Sequence, residues 1–132
     1  MSDNVDAVKR VVDAINRADV DAVAESVSDD FALDFSNSRG PMNGIYHGPD
    51  GVREFMTSFF EPWESIEFRP RETPVELDDR RVLTVNDLHG RGHESGVEVT
   101  ATGATIWTVR DGRVAAVKLY QSKEEALEAA VS

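Results

Sequence analysis

The densest run of titratable side chains in a strand-like stretch is Asn86-Asp87-Leu88-His89, followed by Arg91 and His93. Asp87 and His89 are two positions apart, so on a strand their side chains leave the same face. An imidazole beside a carboxylate can take and return a proton near neutral pH. The carboxylate fixes the ring tautomer or, once desolvated, carries a proton itself. That chemistry suits enolisation, cyclisation or dehydration if the shared face lines a cavity; on a solvent-facing or dimer-forming face the same pair is ordinary surface. Tyr120, on the last strand-like segment, is a phenolic donor. Asp87, His89 and Tyr120 are thus the candidate catalytic residues.

Other polar and aromatic residues have double readings. Asp34, inside Phe31-Ala32-Leu33-Asp34-Phe35, is either a cavity base or, the preferred reading, a surface carboxylate bonded to the loop that follows. His47, just before Gly48-Pro49, can face a ligand or bond a loop backbone, and Tyr46 beside it can close a cavity mouth. Trp63 and Trp107 offer apolar walls with one N–H each. With no cysteine, the chain has no disulfide and no thiolate ligand or nucleophile. His89 and His93 lack the spacing of a known metal site, and there is no phosphate-binding glycine loop or nucleophile elbow. No cofactor or metal is expected.

The elements that must position these residues are legible from periodicity. Val5, Val8, Val12 and Ile15 recur at helical spacing, predicting a helix over 4–17. Asp19 then caps a short second helix carrying Val20, Val23 and Val27, with Asp29-Asp30 as its breaker. Phe31 to Phe35 alternates as a strand, and Ser36 to Gly48 has loop composition. Pro49 opens a third helix with an apolar stripe of Val52, Phe55, Met56, Phe59 and Phe60, read mainly as contact with a sheet; Pro62 ends it. Strands are predicted at 66–68, 75–77, 81–91, 97–109 and 113–121, with turns at Asp78-Asp79 and Arg110-Asp111-Gly112. Ser122 and Glu125 form a capping box for a short terminal helix. Helices first and hairpins afterwards indicate an α+β domain over 1–132.

A chain of 132 residues accommodates one hydrophobic core. Its net charge of -11, with no basic cluster, argues against nucleic acid and anionic membranes as partners. No apolar run approaches the roughly 20 residues of a spanning helix. The acidic start lacks the basic and apolar parts of a secretory signal, so a cytoplasmic location is expected.

Three phrases carry a family resemblance: Ala14-Ile15-Asn16-Arg17-Ala18-Asp19-Val20-Asp21, Tyr46-His47-Gly48 leading into Gly51-Val52-Arg53-Glu54-Phe55, and Ile106-Trp107-Thr108-Val109-Arg110-Asp111-Gly112-Arg113-Val114. With the element order, they resemble the nuclear-transport-factor-2-like superfamily, closest to its SnoaL-like and ketosteroid-isomerase-like branch, over nearly the whole chain. The resemblance implies a curved, mainly antiparallel (mixed) sheet wrapped around three helices to leave a conical pocket. Leu33, Phe35, Phe59, Thr105 and Trp107 would line it, with Tyr46, His47 and Trp63 as further contacts. The isomerase's own Asp base, Tyr and protonated Asp do not carry over, since their places fall at Phe35, Val11 and Thr105. The resemblance therefore implies a small, largely apolar ligand, and three readings stay open: a cofactor-independent isomerase, cyclase or lyase, a non-catalytic binding protein, or an association module. A homodimer is expected in each case, through a sheet face bearing Thr84, Thr100, Thr102 and Thr108.

Overall fold

The computed structural model describes residues 3–36, 44–93 and 96–131. Helix α1 spans Asp3–Asn16 and buries Ala7, Val8, Val11 and Ala14. Its inward face is therefore turned slightly from the valine stripe, because the alanines let the helix approach the sheet closely, while Val5, Val12 and Ile15 sit half-buried at the margin. Helix α2, Val20–Glu25, begins where the Asp19 carboxylate accepts from the Ala22 N–H at 3.1 Å. This satisfies a donor that the first turn leaves open.

The second helix ends earlier than its valine pattern suggests. Strand β1 is Val27–Asp34, so Val27 is a strand residue and Asp29-Asp30 lie within the strand as an exposed pair. Pairing with β7 breaks register between Val27 and Ala32, and that irregularity gives the two aspartates room on the outside. Beyond Phe35 the expected loop contains a short edge strand, β2, Ile45–His47, antiparallel to β1; residues 37–43 of that stretch lie outside the described residues. Helix α3, Gly48–Phe60, opens with Pro49 in its first turn and buries Val52 and Met56.

Strands β3 (Trp63–Pro70), β4 (Val75–Glu76), β5 (Arg81–Gly92), β6 (Glu98–Arg110) and β7 (Arg113–Tyr120) follow. The sheet runs β2-β1-β7-β6-β5-β3, with β4 also on β5. All pairs are antiparallel except β1 with β7, so the sheet is mixed and curved. Asp111 and Gly112 both have positive φ, 53° and 78°, which is the two-residue turn whose twist matches a β hairpin. Helix α4, Lys123–Val131, starts with the Glu125 N–H donating to the Ser122 hydroxyl at 3.1 Å.

Two apolar clusters lie on opposite faces of the sheet. On the inner face α1, α2 and α3 pack against Val82, Trp107, Val109, Val114 and Val117. On the outer face Leu83, Val85, Ala104, Ile106 and Tyr120 pack beneath Ala126 of α4. Among the described residues no helix is long and apolar enough to cross a membrane.

One close approach fixes the far end of the sheet. A Cβ built on Gly90 would lie 2.8 Å from the Trp63 ring, so the absence of a side chain there lets the indole cover the strand. Gly90→Ala is expected to cost about 1–3 kcal/mol by overpacking, lowering Tm by several degrees. In a Trp63→Ala background the penalty should largely disappear. Equal penalties in both backgrounds would mean that the ring does not hold this position.

Candidate functional site

The space between the helices and the inner sheet face is walled by side chains from the three N-terminal helices and β1: Val11, Val12 and Ile15 of α1, Val23 of α2, Val27, Phe31 and Leu33 of β1, Phe35 just after it, and Val52, Phe55, Met56, Phe59 and Phe60 of α3. Phe68, Asn86, Thr105, Trp107, Val114 and Val117 complete the wall from the sheet. The cavity left is about 110 Å³, smaller than the roughly 150 Å³ that accommodates benzene in an engineered protein core. A chain of aromatic contacts runs along its wall. Phe35 meets Phe55 edge-on at 4.9 Å, Phe55 stacks on Phe59 at 5.2 Å, and Phe59 stacks on Phe68 at 6.1 Å. Phe35, Phe55, Phe59, Phe60 and Phe68 are only half-buried, so these rings form the wall that can turn outward.

Polar groups in this wall are few and neutral. The Trp107 indole N–H donates to the buried Thr84 hydroxyl at 2.8 Å, which fixes the ring plane across the cavity floor. Thr84 is opposite Thr105 on the neighbouring strand, and Asn86 lies between Gly103 and Pro70 of its two neighbours. Glycine and proline offer no side-chain partner, so the Asn86 amide makes no bond to another described side chain and stays reachable from the cavity. Among the described residues no ionisable side chain lines the cavity.

The candidate catalytic residues are elsewhere. Asp87 and His89 do share a face, but it is the outer one. Val82 and Asn86 face the helices, so by alternation Leu83, Val85, Asp87 and His89 face away. There Asp87 accepts from Arg71 at 3.1 Å and from the Thr102 hydroxyl at 2.7 Å, while His89 is opposite Glu67 and Thr100. Tyr120 is also on the outer face, opposite Ala104 and buried in the cluster under α4. The expectation that these three meet in a cavity is corrected by the direction of their side chains.

Of the expected pocket residues, Leu33, Phe35, Phe59, Thr105 and Trp107 line the cavity. Tyr46 packs half-buried against Phe55 at 5.1 Å, His47 is exposed at the start of α3, and Trp63 covers Gly90; these three are not in the cavity wall. Thr84 is on the inner face, and so does not share a surface with Thr100, Thr102 and Thr108. Asn86 was not singled out from the sequence. Its signal was its place in alternation with Asp87: if Asp87 points out, Asn86 points in. Asp34 points outward beside Lys118, 3.8 Å away, and accepts from the Ser36 hydroxyl at 2.5 Å and the Ser36 N–H at 3.0 Å. The Ser36 hydroxyl bond is the main cause holding its carboxyl below the ordinary aspartate value, against a smaller opposing effect of burial. It is a charged anchor for the loop and not a base.

Comparison with known proteins agrees with this architecture. The SnoaL-like domain model matches residues 8–117. Among curated proteins there is no significant match. A putative polyketide cyclase from Xanthomonas campestris pv. campestris is 24% identical, with 98% of this chain and 97% of that one covered and a TM-score of 0.77. TerC co-crystallised with polyporic acid is 19% identical over 99% and 100% of the two chains, with a TM-score of 0.78. A Mycobacterium tuberculosis protein in complex with estradiol-17beta-hemisuccinate is 15% identical over 94% and 97%, also with a TM-score of 0.78. Further structural neighbours are NTF2-like and cystatin-fold proteins. At these identities the likeness is one of fold.

Two outcomes test the polar anchors. Thr84→Val leaves the buried indole N–H without its acceptor, so a loss of about 1–3 kcal/mol is expected, with a shift in tryptophan emission; unchanged stability and emission would mean the bond does not hold Trp107. Because the Asp34 pKa is depressed on folding, its stabilisation is present above the unfolded pKa and lost as pH falls through the folded one. Asp34→Asn should therefore melt below the parent protein at pH 7, with the two curves converging below about pH 4. A gap that persists at low pH would show that the charge is not the cause.

Proposed function

The chain belongs to the SnoaL-like domain family, and from that premise we propose that it binds a small, largely apolar molecule between its helices and the inner sheet face. The observation that carries this reading is the composition of the wall: aromatic and aliphatic throughout, with Asn86 and Thr105 as its two polar groups without a side-chain partner and no ionisable side chain among the described residues. Binding sites for small molecules commonly combine an apolar lining with a few placed polar groups. Here the apolar wall would supply affinity, and Asn86 and Thr105 would orient a carbonyl or hydroxyl. Two proteins of the same fold have been crystallised with polyporic acid and with estradiol-17beta-hemisuccinate, which supports a small organic molecule as the occupant.

A second reading, a cyclase or isomerase acting on the same molecule, is favoured by the cyclase name that the Xanthomonas neighbour carries. Acid/base catalysis in this space requires a proton acceptor, and Asp87 and His89 are on the far side of the sheet. A homodimer through that outer face, with Glu67, Arg69, Asp87 and His89 in its surface, fits either reading and is tested by mass in solution.

The size of the cavity sets the experiment. With the half-buried Phe rings of the wall turned outward to admit a ligand, titration calorimetry with 4-methylphenol, 2-naphthol and a four-ring steroid should show binding of the two smaller compounds, and Phe59→Ala should shift the preference towards the largest. Asn86→Leu and Thr105→Val should each weaken 2-naphthol binding about three- to tenfold, the size of one hydrogen bond. If none of the compounds binds, the proposal fails. Recovery of the ligand chemically altered, by mass or by chirality, would decide for the enzyme over the binding protein.

A further inference from the structure

A groove of about 640 Å³ with charged side chains at its border runs between α1 and the segment that joins β3 to β4. It is bordered by Lys9, Asp13, Arg71 and Glu72, and it shares Val12, Phe68 and Asn86 with the wall of the inner cavity. The two spaces are therefore neighbours across a partition made of those three side chains. The Phe68 backbone is pinned, since the Asn16 amide binds both its carbonyl, at 2.9 Å, and its N–H, at 2.8 Å. The Phe68 ring is only half-buried, so its rotation alone would join the two spaces with the strand held in place.

The charges around the groove divide into two kinds. Arg71 is engaged by Asp87 and Glu72 by Lys123, each paired within the protein. Lys9 and Asp13 are one helical turn apart on α1, and neither side chain has a hydrogen bond or ion pair among the described residues. An ammonium and a carboxylate side by side donate and accept together. A fully anionic head would meet Asp13 and a cationic one would meet Lys9, whereas a hydroxyl can accept from the Lys9 ammonium and donate to the Asp13 carboxylate. Adjacent hydroxyls satisfy both, and the Asn86 amide at the partition can both donate and accept.

We propose that the ligand is amphipathic, with an apolar ring in the inner cavity and a neutral, polyhydroxylated head in the groove between Lys9 and Asp13. This rests on the proposed binding of an apolar molecule in the cavity and adds the class of group attached to it. It also answers the size of the cavity: about 110 Å³ takes a ring only when the half-buried Phe side chains of its wall turn outward, and the rest of the molecule lies in the larger groove.

The test compares 2-naphthol with 2-naphthyl β-D-glucoside by titration calorimetry on the parent protein and on Lys9→Ala, Asp13→Ala and the double variant. Both substituted side chains are exposed, so folding should be unaffected, and melting curves verify it. The expected result is that the glucoside binds about five- to tenfold more tightly than 2-naphthol to the parent protein. Most of that preference should vanish in the double variant while 2-naphthol binding is unchanged. If 2-naphthol binds and the glucoside binds equally or less tightly, the groove proposal is overturned and the cavity reading stands. The same holds if the preference survives in the double variant. If neither compound binds, both readings fall.

Discussion

The pocket depends on one side-chain amide. Strand β3 is an edge, and at Phe68 its N–H and C=O point away from β5 with no further strand to receive them. The Asn16 amide, at the end of α1, bonds both, at 2.8 and 2.9 Å, and so does the work of the missing strand. An open edge is a hazard that folded proteins commonly block, and here the block also ties the helical layer to the far side of the sheet. Because the sheet curves, that tie closes a space rather than a seam: α1 is held at β3 while α3 packs on β1, and the interior between them is what remains. Gly90 and Trp63 complete the same end by letting an indole lie flat on the strand.

Sequence pattern was informative about elements and much less so about faces. The third helix, the long hairpins and the capped terminal helix follow from proline placement, alternation and turn residues, since these are local effects. The early end of α2 was not legible, because Val20, Val23 and Val27 keep helical spacing through a change of structure that pairing with a distant strand imposes. The candidate site failed for a different reason. Val82 to Val85 are all buried, since helices cover one face of β5 and α4 covers the other. Alternation there could say that Asp87 and His89 share a face but not which one. The answer is implicit in the expectation of Thr105 and Trp107 as cavity residues, since they are opposite Thr84 and Val82. Only the register between β5 and β6 turns that into Asn86 inward and Asp87 outward.

The distribution of charge follows from the same division. A chain with a net charge of -11 keeps ionisable side chains out of the described cavity wall, while its outer face carries Glu67, Arg69, Asp87 and His89 in adjacent strands. Burying an unpaired charge is costly, whereas a neutral amide or hydroxyl that stays reachable costs little. The interior is thus selective by shape and hydrogen bonding, and electrostatic attraction contributes at its margin.

The single parallel pairing has a consequence for how the molecule is made. Strand β1 joins the rest of the sheet through β7, which brings Val27 to Val114 and Asp34 to Lys118, its other neighbour being the short edge strand β2. During synthesis the two N-terminal helices and β1 leave the ribosome long before their partner strand exists, and pairings so distant in sequence form slowly. Their apolar faces must wait, solvated or loosely clustered, until nearly the whole chain has emerged. The last hairpin then acts as the keystone of assembly, and the interval before it arrives is when the nascent chain is most exposed to aggregation and most in need of chaperones.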